Sequence, residues 1–170
     1  MISMKRRTLV AAAATLASAA TLRNSWADDA PGKPLPDLRF RLADGTERTL
    51  ADYAGRGVVL NFWATWCVPC VAEMPSLDAL AEKVGDRVVV LAASSDRGGA
   101  AAVQRFYTAQ KVVHLPILLD PQGAGARAIG ARGIPTTLLI DTKGRERARL
   151  EGPADWATEA SVAMARALAV

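Results

Sequence analysis

The spacing of hydrophobic and polar residues changes several times along this chain, and each change marks an element. LRFRL (38–42) alternates, and the Asp-Gly of ADGT (43–46) supplies a turn, so a β-hairpin is predicted there. LADYAG (50–55) fits a short helical turn. VVLNFWA (58–64) is a continuous apolar run, as a strand covered on both faces would be. From Val68 to Val84 the period becomes helical, with Val71, Met74, Leu77, Leu80, Ala81 and Val84 on one stripe and Gly85 as the stop. RVVVLAASS (87–95) predicts a second buried strand. A helix should follow, opened by Asp96 or Gly98 and running to about Lys111. PILLD (116–120) reads as a third strand and 122–130 as a small Gly/Ala-rich helix. TTLLID (136–141) and RARLEG (147–152), joined by Thr-Lys-Gly, predict a second hairpin. The last helix is placed from Asp155, as its cap, to about Leu168.

Strands alternating with helices early imply a parallel core, and the late hairpin adds antiparallel strands. The fold class is therefore α/β, a central mixed sheet with helices on both faces. DDAPGKPLP (28–36), with three prolines and a glycine, reads as an extended linker, leaving 37–170 as one domain. Half the residues are hydrophobic and under a quarter are charged, a globular composition. A domain of about 140 residues buries a sufficient core without staples.

The first 27 residues differ in kind. MISMKRR is basic, TLVAAAATLASAATL (8–22) is apolar, and RNSWA ends in Ser25-Trp26-Ala27. That order predicts a signal peptide cut after Ala27. The apolar run falls short of the about 20 residues that span a bilayer, although an uncleaved anchor is the alternative. Arg6-Arg7-Thr8-Leu9-Val10 also resembles the start of a twin-arginine signal. The leader holds four of the twenty-one basic residues and none of the seventeen acidic ones, so 28–170 carries seventeen of each. Nothing in the mature part calls for nucleic acid, and it is expected to be soluble.

The two cysteines stand in NFWATWCVPCVAEMP (61–75). A structural zinc site needs about four ligands, and the rest of the chain offers one histidine, His114, read as a satisfied histidine elsewhere. Haem attachment needs His after the second cysteine, where Val71 stands. An iron–sulfur cluster lacks thiols. A purely structural disulfide across two residues would remove little chain entropy. A redox dithiol remains. Cys67 falls at the strand-to-helix turn and Cys70 one turn in, on the same helical face. A thiolate there faces the positive end of the helix dipole, which lowers its pKa.

FWATWCVPC, together with GIPTTLLIDTKG, resembles the thioredoxin-like superfamily, nearest to its exported TlpA/ResA-like branch. The resemblance covers about residues 35–168. It implies a thioredoxin-like fold with an N-terminal β-hairpin and an inserted strand–helix element. It implies that Cys67 is the nucleophile, that Cys70 resolves the mixed disulfide, and that the two form the redox disulfide. It also implies a cis Pro135 against the dithiol, with Ile134 offering its backbone to a substrate strand. An ordinary turn proline is the alternative there. Trp66 is expected to be part-exposed on the docking surface and Trp63 in the core.

One departure matters. Cytosolic thioredoxin has a buried Asp where this chain has Asn61, which cannot titrate. Glu73-Met74-Pro75 resembles the branch's C-x-x-E-x-P pattern, so Glu73 is the candidate acid, unless it is only a solvated helix-face charge. Pro75 should kink the helix. The implied activity is that of a periplasmic protein-disulfide reductase, acting on apocytochrome c or on copper-delivery proteins and recharged by a membrane thiol reductase. No cofactor and no metal are called for. The alternatives are a DsbA-like oxidant, a non-catalytic Cu(I)-binding protein and a thiol peroxidase. Val68-Pro69 lacks the histidine of strong oxidants. Cu(I) would suit two thiolates, but no His adjoins them. Thr65-Trp66-Cys67 does not supply the peroxidase pattern.

Overall fold

The computed structural model describes residues 32–170. The signal-peptide and twin-arginine readings lie outside the described residues. Eight strands form one mixed sheet: β1 (Lys33–Pro34), β2 (Arg39–Leu42), β3 (Glu47–Thr49), β4 (Gly57–Trp63), β5 (Val88–Ser94), β6 (Ile117–Leu119), β7 (Thr136–Ile140) and β8 (Arg145–Glu151). Four helices complete it: α1 (Val68–Lys83), α2 (Gly99–Gln110), α3 (Ala124–Ala128) and α4 (Glu159–Ala167). The spatial order is β1-β8-β7-β4-β5-β6-β2-β3. β4, β5 and β6 run parallel, and every other pairing is antiparallel. This is the thioredoxin-like α/β fold, with the N-terminal hairpin β2–β3 attached along β6.

β4 shows why its sequence is apolar throughout. Its residues alternate between two cores. Val59 and Trp63 enter a cluster with Met74, Leu77 and Leu80 of α1, Val103 of α2 and Val162 of α4. Val58, Leu60 and Phe62 enter another with Phe40, Ala126 and Ile129, the last two at α3. Both faces are therefore covered, and the alternation hides inside a uniformly apolar string. Gly57, at the start of β4, allows the end of α4 to approach: an added Cβ would stand 2.6 Å from the Leu168 Cβ.

Several boundaries differ from the sequence reading. The linker segment contributes β1, an edge strand that pairs Lys33 with Glu146 and Pro34 with Arg145. A proline is tolerated there because an edge strand can spare a ladder N–H. α4 begins at Glu159, capped by the Thr158 hydroxyl, which accepts from Ser161 N–H at 3.1 Å, so Asp155 is not its cap. Asp155 closes a local turn instead, accepting from Ala157 N–H. β8 begins at Arg145, two residues before RARLEG, and its Arg145 and Arg147 approach the Asp141 carboxylate at 3.5 and 3.7 Å. α1 continues through Pro75 to Lys83. His114 is satisfied, with its Nδ1 3.2 Å from Asp78 Oδ2.

Candidate active site at the Cys67–Cys70 pair

β4 ends at Trp63, and the chain turns through Ala64, Thr65 and Trp66 before α1. Cys67 N–H donates to the Ala64 carbonyl at 3.1 Å and closes this turn. Cys67 is itself the N-cap of α1: its extended backbone leads into the helix, and its sulfur accepts from Cys70 N–H at 3.3 Å. Sulfur thus takes the place that a hydroxyl or carboxylate oxygen usually fills. Pro69 lies in the first turn, where its missing N–H costs nothing. Cys67 and Cys70 are joined as a disulfide, with Cα atoms 5.2 Å apart.

The two sulfurs have different surroundings. Cys70 is fully buried, whereas Cys67 keeps a small exposed fraction, 7%. Beside Cys67, Trp66 is 67% exposed and Val68 80%, so an apolar rim lies open to solvent. Trp63 is in the core, its ring 5.0 Å from Phe106 and 6.0 Å from Tyr107. From the other side, the Ile134 carbonyl oxygen stands 3.6 Å from Cys67 Sγ, and the Ile134–Pro135 peptide is cis. The turn before β7 and the turn before α1, 67 residues apart in sequence, meet at one sulfur.

Asp96 holds the turn that presents Cys67. It follows β5, which runs parallel to β4, so its carboxylate reaches the neighbouring strand's exit. It accepts from Thr65 N–H at 2.9 Å, from the Thr65 hydroxyl at 2.6 Å and from the Ser94 hydroxyl at 2.7 Å. In sequence Asp96 stands out only as a possible helix opener. The N-cap of α2 is Gly98. No local spacing could have revealed the clamp, because its partner lies 31 residues away.

Glu73 is buried, so it is not a solvated helix-face charge. Its Oε1 accepts from Asn61 Nδ2 at 2.7 Å. Its Oε2 accepts from Ala154 N–H at 3.1 Å and Trp156 Nε1–H at 3.3 Å. Burial pushes its pKa above the ordinary glutamate value, and these three hydrogen bonds pull it back only in part. Asn61 and Glu73, brought together here, were the departure and the candidate acid singled out in sequence. Trp156 and Thr137 were not. Among the described residues, no three or more His, Cys, Asp or Glu side chains group as a metal site.

Residues 30–165 match the family model described as Redoxin. The chain is 36% identical over 124 residues to the thiol-disulfide oxidoreductase ResA of Geobacillus thermodenitrificans, covering 72% of this chain and 70% of that one. A solved structure of a putative thiol:disulfide interchange protein DsbE from Chlorobium tepidum superposes with a TM-score of 0.70 at 28% identity, covering 82% of this chain and 97% of that one. The pneumococcal exposed lipoprotein thioredoxin from Streptococcus pneumoniae gives a TM-score of 0.60 at 33% identity, over 70% of this chain and 91% of the other. A Cys-x-x-Cys pair at the N-terminus of a helix packed on the core, on this fold and among these relatives, leads to one assignment. The chain belongs to the redoxin family, as a thioredoxin-fold thiol–disulfide oxidoreductase of the ResA/DsbE type.

Proposed function

We propose that this enzyme reduces protein disulfides outside the cytoplasm. The observation that carries the reading is the inequality of the two sulfurs: Cys67 at an open apolar rim, Cys70 fully buried behind it. In the reduced enzyme the Cys67 thiolate attacks one sulfur of a target disulfide. That bond breaks, and the other target sulfur leaves and takes up a proton. Cys70 then gives up its proton and attacks Cys67 Sγ, releasing the second target thiol. The target gains two electrons, and the enzyme is left as the Cys67–Cys70 disulfide. Glu73, one helical turn from Cys70, is the acid that accepts or returns the Cys70 proton. Trp66, Ile134 and Pro135 form the groove in which a target strand lies.

The reductant direction is supported by Val68-Pro69, which brings no histidine between the cysteines. A location outside the cytoplasm is supported by the basic, apolar, small-residue order of residues 1–27. It is supported as well by the exposed-lipoprotein description of one relative. Residues 1–27 are then a cleaved signal, 28–36 the lead into the fold and 37–170 the enzyme. The targets are protein disulfides such as those of apocytochrome c or copper-delivery proteins, and a membrane thiol reductase recharges the pair.

Equilibration with glutathione tests the direction. The potential should lie below the glutathione poise of about −240 mV. A value well above it makes the enzyme an oxidant. Cys70→Ser should accumulate mixed disulfides with its targets, and Cys67→Ser should form none. The reverse pattern exchanges the two roles. Mass spectrometry of the exported protein should find Asp28 as the first residue, and an intact Met1 would replace the cleaved signal with an anchor.

A further inference from the structure

The groups around the Glu73 carboxylate are all donors. Asn61 contributes an amide N–H from β4, Ala154 a backbone N–H and Trp156 an indole N–H. A protonated carboxyl has an O–H of its own to place, and in this arrangement each of the three partners presents an N–H to it and none presents an acceptor. The set therefore suits the anion. Asn61 is oriented by what it gives: Nδ2 also donates to the Thr137 hydroxyl at 2.9 Å, while its buried Oδ1 has no partner among the described residues. A lone buried acceptor is a cost that a leucine would not carry. Trp156 is fixed separately, since its backbone N–H donates to the Ser76 hydroxyl, which in turn donates to the Glu73 carbonyl.

We propose that Asn61 and Trp156 are positioning residues for Glu73, holding its carboxylate in place and in the charged form, one helical turn from Cys70. This deepens, and rests on, the reading of Glu73 as the enzyme's proton-handling acid. The arrangement also ties that acid to the substrate groove. Trp156 and Ala154 belong to the strap between β8 and α4, and the same strap's Gly152 N–H donates to the Pro135 carbonyl at 2.9 Å.

Few other charges bear on Glu73. β4 and β7 contribute no titratable side chain. On α1, Cys70 is held in the disulfide, the Asp78 carboxylate is occupied by the backbone of 113–115, and Glu82 and Lys83 are exposed. In the strap, Asp155 is exposed and bonded to Ala157 N–H. On α4, Glu159 and Arg166 are exposed. No cation pairs with Glu73 among the described residues.

The test is the titration of Glu73 itself, in the oxidised full-length protein, followed by the NMR shift of its carboxyl carbon. The resonance is assigned by its loss in Glu73→Gln. Removing a hydrogen bond made to the charged form raises the pKa. Asn61→Leu should move the midpoint up by about one pH unit, roughly tenfold in proton affinity. Trp156→Phe keeps the ring in the core and loses only the longer bond, so its shift should be smaller, about half a unit. Midpoints equal to wild type in the variants that fold would overturn the proposal, whatever their stability. Trp156→Phe decides alone if Asn61→Leu does not fold. The pH profile of disulfide exchange should move with the midpoint. Glu73→Gln should flatten that profile. If it does not, the proton-handling role of Glu73 fails, while the donor set is still judged by the carboxyl titration.

Discussion

Cys67 works from a turn of four residues, and the side chain that fixes this turn is Asp96. The carboxylate satisfies the Thr65 N–H and both neighbouring hydroxyls at once. Bonds to a charged acceptor are the strong kind, and the Thr65 hydroxyl has no other partner among the described residues. Without Asp96, the Thr65–Trp66 segment loses its tie to β5, and Cys67, the proposed nucleophile, is presented in more than one position. Positional errors of about 1 Å slow such reactions by as much as about 100-fold. Asp96→Ala should therefore lower kcat/KM for disulfide reduction by ~10-fold or more, and Asp96→Asn, which keeps one acceptor oxygen, should recover part of it. Stopped-flow kinetics on a small disulfide and on a protein disulfide would measure both. Equal rates in wild type and Asp96→Ala would show that the Cys67–Ala64 and Cys70–Cys67 hydrogen bonds hold the turn unaided.

At the scale of elements, the strands and helices that span the core were legible, while the contacts that set them against each other were not. β4, β5 and α1 carry long apolar patterns with clear stops, so their own residues announce them. β1 is two residues long and exists only because β8 lies beside it. Asp155 is a good cap by residue type, yet α4 starts at Glu159 behind Thr158. Tertiary contacts decide it: Trp156 is drawn inward to Ser76 and Glu73, leaving Thr158 to open the helix. Asp78 is the clearest case of a hidden role, since it looks like a polar break in the α1 stripe. Its carboxylate accepts from Val113, His114 and Leu115 N–H, with the closest at 2.7 Å, and from His114 Nδ1. It thereby anchors the loop that delivers β6 to the middle of α1. Asp78→Ala would leave three backbone donors without this acceptor, one of them, Leu115 N–H, in a buried position. An expected loss of about 1–3 kcal/mol follows, read from urea unfolding of the oxidised protein. Asp78→Asn should lose less. A loss within about 0.5 kcal/mol of zero, typical of a surface change, would mean that water replaces the carboxylate there.

For the molecule as a whole, the buried Glu73 makes stability depend on pH in a direction opposite to that of most carboxylates. Its folded-state pKa is raised above the ordinary 4.5, with burial as the first cause. The folded protein therefore binds this proton more tightly than the unfolded chain does. Stability from this group is present in full at pH values below 4.5. It is lost as pH rises from there through the raised folded value, because across that window the folded state holds more proton. Asp44, Asp52 and Glu151 have lowered values, through hydrogen bonds from Thr46, Thr49 and Arg132 respectively, and act in the reverse sense. All three are exposed, and solvent screens them. Comparison of wild type with Glu73→Gln cancels their shared contribution. The unfolding free energy of wild type, relative to Glu73→Gln, should fall as pH is raised from about 4.5 toward neutrality, whatever constant offset the substitution introduces. Urea midpoints at a series of pH values, with the disulfide intact, give this difference directly. Two parallel curves would mean that the donors at Asn61, Ala154 and Trp156 offset the burial in full. The raised proton affinity by which ionisation weakens the fold also fits the role proposed for Glu73, exchange of a proton with the buried Cys70 thiol, so on that proposal the pH window of this stability loss and that of the disulfide exchange rate should overlap.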